Sequence, residues 1–194
     1  MFEIFIRGHG GFEYLDLTAI SAGGLLEPSN YDPTNPALPS MDDLQKQYKG
    51  EGYAVGGQAG VALFDALDLG ADFRYADVGF DKSDGSLTQI AVFTAWHMIG
   101  SDLIFDPYIT LGFGWCYLTT RIPEISGAAV TGYNEERTAN GFIGRTGAGL
   151  DIRFVSWMSA GILADFSFLY FDASLEHTAW GFNTDVFARL SFHI

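Results

Sequence analysis

The last sixteen residues read AWGFNTDVFARLSFHI, positions 179–194. Their even positions are Trp180, Phe182, Thr184, Val186, Ala188, Leu190, Phe192 and Ile194, and their odd positions are Gly181, Asn183, Asp185, Phe187, Arg189, Ser191 and His193. One parity is apolar and the other mostly polar. Successive side chains of a strand point to opposite faces, so this alternation marks a strand lying between two unlike environments. A helix would mix the two sets around its circumference.

Working back along the chain, the same period of two recurs seven times. Phe2, Ile4, Ile6, Phe12 and Tyr14 share a parity opposite to Glu3, Arg7, His9 and Glu13. Tyr53, Val55, Ala59, Val61 and Leu63 alternate with Gln58 and glycines, and Leu67, Leu69, Ala71, Phe73 and Tyr75 with Asp68, Asp72 and Arg74. Comparable runs centre on Ile90–Met98, Ile109–Tyr117, Phe142–Phe154 and Met158–Tyr170. The pattern predicts an all-β fold of eight strands in one domain, 1–194. Short turns are expected near Asp65-Ala66, Gly100–Asp102 and Val155-Ser156. Longer connections are expected near 19–50, 81–86, 120–140 and 173–178, with the long surface loops at 19–50 and 120–140. Short turns at one end and long loops at the other are the habit of outer-membrane barrels.

Composition narrows the classes. The 194 residues are 48% apolar and 18% charged, which is too apolar for a disordered chain. Twenty-four acids against ten bases give a net charge of −14, and no basic stretch exists, so no nucleic-acid partner is expected. The single Cys116 excludes an intrachain disulfide framework and a cysteine-based zinc site. The longest uncharged stretch, Gly85 to Ser101, is too short and too polar for a spanning helix. Met1 to Arg7 lack the basic and apolar regions of an export signal.

A soluble barrel and a membrane barrel share this alternation and differ in which face is inside. The charges decide. Arg7, Arg74, Arg145, Arg153 and Arg189 lie mid-strand on the less apolar parity, while Lys46, Lys49, Lys82, Arg121 and Arg137 are read as loop residues. A soluble barrel would carry lysines over its strands for solubility. The arginines are therefore expected to form a paired interior network with Glu3, Glu13, Asp72, Asp151, Asp165 and Asp185, because a buried charge needs a partner. The apolar parity then meets lipid. Its aromatics gather at the strand ends, with Tyr14, Tyr53, Tyr75, Tyr117, Tyr170 and Trp180 at one rim and Phe2, Trp96, Phe105, Phe154, Trp157 and Phe192 at the other.

On these features the chain resembles the small eight-stranded outer-membrane barrels of Gram-negative bacteria, the OmpA, OmpX and OmpW type. The resemblance runs over nearly the whole chain and rests on DPYITLGFGW (106–115), GAGLDIRF (147–154) and the final strand. It implies an up-and-down transmembrane barrel with short periplasmic turns and longer extracellular loops. It also implies a bacterial outer-membrane location, with outer-membrane lipid, lipopolysaccharide and an envelope protein as partners. Family members usually end in an aromatic residue, whereas here Phe192 precedes the final Ile194 by two.

Chemistry is harder to find. The lipid A deacylase family resembles the chain in architecture and carries a His-x-Ser pair, in which an imidazole activates a hydroxyl. His97, His177 and His193 are not followed by such a serine. No enzyme activity, cofactor or metal is therefore expected. His9, His97 and His193 share the inward parity and read as separate hydrogen-bonded side chains, with His97 and His193 the pair nearest in height. Cys116 reads as a small interior filler. Glu27, Asp32, Asp42 and Asp43 read as a solvated acidic loop rather than a calcium loop, because EF-hand spacing is missing. The strand glycines lack a following helix and so make no phosphate-binding fingerprint.

An eight-stranded barrel is just wide enough for its own side chains. Phe5, Phe93, Tyr108, Phe187 and the arginines are expected to fill it. The expected function is a non-enzymatic outer-membrane barrel with a filled polar interior, serving envelope structure or surface and partner interaction. The alternatives are a narrow channel or OmpW-like transporter of small hydrophobic solutes, and a lipid A-modifying enzyme.

Overall fold

A computed structural model describes residues 2–17, 49–64, 66–80, 83–98, 104–126, 129–172 and 179–194. Eight strands follow in chain order: β1 (Phe2–Asp16), β2 (Lys49–Leu63), β3 (Leu67–Phe80), β4 (Ser83–His97), β5 (Phe105–Ser126), β6 (Ala129–Val155), β7 (Met158–Asp172) and β8 (Ala179–His193). Each pairs antiparallel with its sequence neighbour, and β8 returns to β1, so the sheet closes. Closure leaves no strand edge with unpaired backbone groups, the condition for crossing lipid in β-structure. The first long connection and its acids Glu27, Asp32, Asp42 and Asp43 lie outside the described residues, as does the 173–178 connection.

The turn between β2 and β3 is tight. Leu63 pairs with Leu67, the Ala66 amide donates to the Leu63 carbonyl, and Phe64 takes a left-handed φ of 54°. The β5–β6 region differs from the sequence reading. The stretch 120–140, expected as a loop, is paired strand up to Ser126 and again from Ala129. Its register slips after Ile122 and again after Glu124. Pro123, which has no amide hydrogen to give the ladder, marks the first slip. These strands have 22 and 27 residues. About 9–11 tilted residues suffice to span a bilayer, so this hairpin projects well past the lipid. Arg121 and Arg137 therefore lie in strands rather than loops, and they sit on the projecting part. Lys49 is likewise the first residue of β2, 3.5 Å from Asp16.

The two faces are inverted relative to a soluble barrel. Val92, Phe113 and Ile162 are each more than 60% exposed on the outside, while Arg7, Glu13, Arg74 and Asp185 inside are at 1% or less. Tyr170 packs edge-on against Trp180 at the long-loop rim, and Trp157 stacks on Phe192 at the short-turn rim. The interior itself has two levels. Toward the long-loop end its inward side chains are apolar: Leu15, Leu87, Leu118, Ile143, Leu169 and Phe171 are fully buried. In the rest, charged side chains are packed among Phe5, Phe93, Tyr108 and Phe187.

A barrel this narrow curves so sharply that some inward positions lack room for a β-carbon. At Gly114 an added Cβ would lie 2.0 Å from the Ile90 carbonyl oxygen. Gly114→Val should therefore cost about 1–3 kcal/mol of barrel stability. The check is the denaturant midpoint at which the heat-dependent gel mobility shift of the folded protein disappears; an unchanged midpoint would contradict it.

Candidate functional site

The charged interior divides into two groups. The central one is built on Arg74, which β3 points inward with Asp72 two residues earlier. Its guanidinium reaches Asp72 at 2.9 Å, Asp165 of β7 at 2.5 Å and Asp185 of β8 at 3.0 Å. Arg145 of β6 donates to Asp72 at 2.8 Å and to the Gln89 side chain. Gln58 donates to Asp72 at 2.9 Å, and the Thr110 hydroxyl donates to Asp165 at 3.1 Å. Arg74 also lies 4.7 Å from the centroid of the Phe187 ring, so one aromatic covers the cation's face while carboxylates take its edge.

The second group lies toward the short turns. Arg7 pairs with Asp68, which also meets His97 Nε2 at 3.0 Å. His97 Nδ1 meets Asp106 at 2.8 Å, so both ring nitrogens are taken by carboxylates and neither is free to activate a hydroxyl. Arg189 pairs with Asp151 and lies 4.2 Å over the Tyr108 ring. Below them opens a mouth pocket lined in part by Glu3, Arg7, Asp151, Arg153, Ser159 and His193. Its volume is about 10 Å³, room for about one water.

Ten of the eleven expected network residues fall into three places. Asp72, Arg74, Arg145, Asp165 and Asp185 meet in the centre. Arg7, Asp151 and Arg189 meet below. Glu3 and Arg153 sit at the mouth, half-buried, with Glu3 3.8 Å from His193. Glu13 is fully buried, facing Asp185 across the β1–β8 pair, with the Asn183 amide beside it. The sequence reading passed over Asp68, Asp106, Gln58 and Gln89 as network members. Their signal was parity: each lies on the inward set of its strand, beside residues that were chosen. It also passed over the apolar plug at the long-loop end, because Leu15, Leu87, Leu118 and Leu169 interrupt an otherwise polar parity. The three inward histidines stand apart as expected, but only in part hydrogen-bonded: His97 meets two carboxylates, whereas His9 has no hydrogen-bond partner among the described residues and packs 4.9 Å from the Phe187 ring. Cys116 is buried, and its Sγ donates to the Phe142 carbonyl at 3.6 Å. His177 lies outside the described residues.

A closed sheet with lipid-compatible walls, aromatic rims and a paired ionic core defines an eight-stranded transmembrane β-barrel of the outer-membrane class. No family model and no curated protein matches the chain. Solved structures do. The neisserial surface protein A is similar over 97% of this chain and 96% of its own, at 9% identity and a TM-score of 0.59. The N-terminal β-barrel domain of Pseudomonas aeruginosa OprF aligns over 99% and 97%, at 16% identity and a TM-score of 0.47. Pseudomonas aeruginosa OprG aligns over 99% and 97%, at 12% identity and 0.46. At 9% identity the likeness to the neisserial protein is one of fold.

Proposed function

We propose that the chain is a non-enzymatic outer-membrane barrel that anchors its long-loop end at the cell surface, for envelope structure or for contact with an envelope partner. The observation that supports this most is the filling of the bore. Paired charges occupy its centre and an apolar plug occupies its outer end, so a hydrated solute meets both a charge lock and a dry layer. Outer-membrane lipid and lipopolysaccharide surround the wall, and the projecting β5–β6 hairpin extends beyond it.

In planar bilayers the refolded protein should give no reproducible stepwise conductance. Regular openings in salt would defeat the filled-bore reading. Incubation with lipid A followed by mass spectrometry should show no acyl chain lost or gained; either change would make the barrel an enzyme.

One observation favours a second reading, the passage of small hydrophobic solutes. The inward side chains at the long-loop end are apolar, which suits an apolar solute better than an ion. Faster uptake of such a solute by protein-containing liposomes than by empty ones would support it.

A further inference from the structure

Two depressions mark the outer wall of β3–β6, one above the other. The lower is an open apolar groove of about 660 Å³, lined in part by Leu69, Val92, Leu111, Phe113 and Gly144. Gly144 pairs with Phe113 on one side and Phe168 on the other, so its missing side chain leaves a notch between two rings. An added Cβ there would meet nothing within 4 Å. The upper is a polar cleft of about 610 Å³, with Tyr75 at its foot and Asp77, Asp84, Ser86, Thr119, Arg121 and Glu136 around it. Both volumes fall in the range of ligand pockets.

Their spacing fits one lipid. Ser86 of the cleft lies six residues from Val92 of the groove along β4. At about 3.4 Å per residue and a tilt of about 45°, that is about 14 Å along the membrane normal. One leaflet of hydrocarbon is about 15 Å thick, half of the core. A lipid with its headgroup in the cleft therefore reaches the groove with an acyl chain. Tyr75, at the foot of the cleft, belongs to the aromatic rim, which lies at headgroup level. The long-loop end makes this the outer leaflet. The cleft also defines the headgroup. Asp77, Asp84 and Glu136 share it with the single Arg121; all four are exposed, and among the described residues no ion pair joins them. A phosphate alone suits Arg121 and is repelled by the acids. A phosphate joined to a primary ammonium suits both, with the guanidinium donating to the phosphate and the ammonium donating to the carboxylates.

We propose that the outer wall of β3–β6 is a docking site for one phospholipid of the phosphatidylethanolamine kind. An acyl chain lies over Gly144 in the groove. The headgroup lies in the cleft, its phosphate at Arg121 and its ammonium among Asp77, Asp84 and Glu136. The Ser86 and Thr119 hydroxyls donate to the remaining phosphate oxygens. The site depends on the wall facing lipid and is independent of whether the bore conducts.

The folded full chain in detergent is offered equal amounts of phosphatidylethanolamine, phosphatidylcholine, phosphatidylglycerol and lipopolysaccharide, and the retained lipid is counted by native mass spectrometry. The expected result is one phosphatidylethanolamine per chain. It should be favoured about tenfold over phosphatidylcholine, whose methylated ammonium cannot donate, and over phosphatidylglycerol, which lacks the cation. Gly144→Leu fills the notch and changes no charge. It should keep the heat-dependent mobility shift of a folded barrel and lose the lipid whatever the headgroup. Asp77→Asn combined with Asp84→Asn leaves the groove and Arg121 in place. That variant should still retain lipid but no longer prefer the ethanolamine headgroup to choline. Equal retention of every lipid by the wild type would mean ordinary boundary lipid and overturn the proposal. A preference for lipopolysaccharide would give the face to an anionic glycolipid and overturn it too, as would wild-type retention by folded G144L.

Discussion

Replacing Arg74 with methionine should destabilise the barrel by about 3–5 kcal/mol, the usual cost of removing one partner from a buried ionic cluster. Arg74 is 1% exposed and is the group common to Asp72, Asp165 and Asp185. Methionine keeps much of the stem's volume but loses the guanidinium over Phe187 and leaves three carboxylates without their shared cation. Arg145 still reaches Asp72; no other basic group is in hydrogen-bond contact with Asp165 or Asp185 among the described residues. Arg74→Lys should lie between wild type and R74M. It restores the charge, but a point ammonium does not reproduce a fork that bonds three partners from three strands. The deficit should shrink as the medium is acidified, because protons then neutralise the stranded carboxylates. Urea unfolding of protein folded into lipid vesicles measures the difference. A loss below about 1 kcal/mol would mean that the cluster is solvated and worth no more than a surface ion pair.

That prediction depends on knowing which side chains point inward, and the sequence carried this. Strand parity and the confinement of mid-strand arginines to one face lead to the closed barrel and to most of its ionic core. Parity does not say which charges meet. Arg74 of β3 binds Asp165 and Asp185 across the bore, contacts set by the stagger of eight strands and by side-chain reach. Height was harder to read as well. Arg7 and Glu13 share an inward face, yet one lies in the lower ion group and the other beneath the apolar plug. The β5–β6 hairpin escaped the reading for a different reason. Beyond the membrane neither face has to be apolar, so the alternation that marks a strand fades while the backbone pairing continues. Pro123 and glycines near it look like loop residues, although the ladder tolerates the proline at a register shift.

The inversion of the two faces yields the second large effect, and it separates the two barrel types more directly than any composition. Ile90 lies midway along β4 and is 57% exposed on the outer wall. In lipid, Ile90→Arg places a guanidinium in the hydrocarbon region and should cost about 2–4 kcal/mol. The same change near either aromatic rim should cost about 1 kcal/mol or less, because the side chain can reach headgroups there. Thr119, beyond Tyr117 toward the long-loop end of β5, supplies that control as Thr119→Arg. In a soluble barrel the order would disappear, because an arginine on a water-exposed wall is close to neutral wherever it sits. Unfolding free energies of I90R and T119R in vesicles of one lipid composition give the comparison. A difference of about 2 kcal/mol in the stated direction fits a wall that faces hydrocarbon at Ile90 and headgroups at Thr119. Equal values would put both positions in water and reverse the assignment of inside and outside.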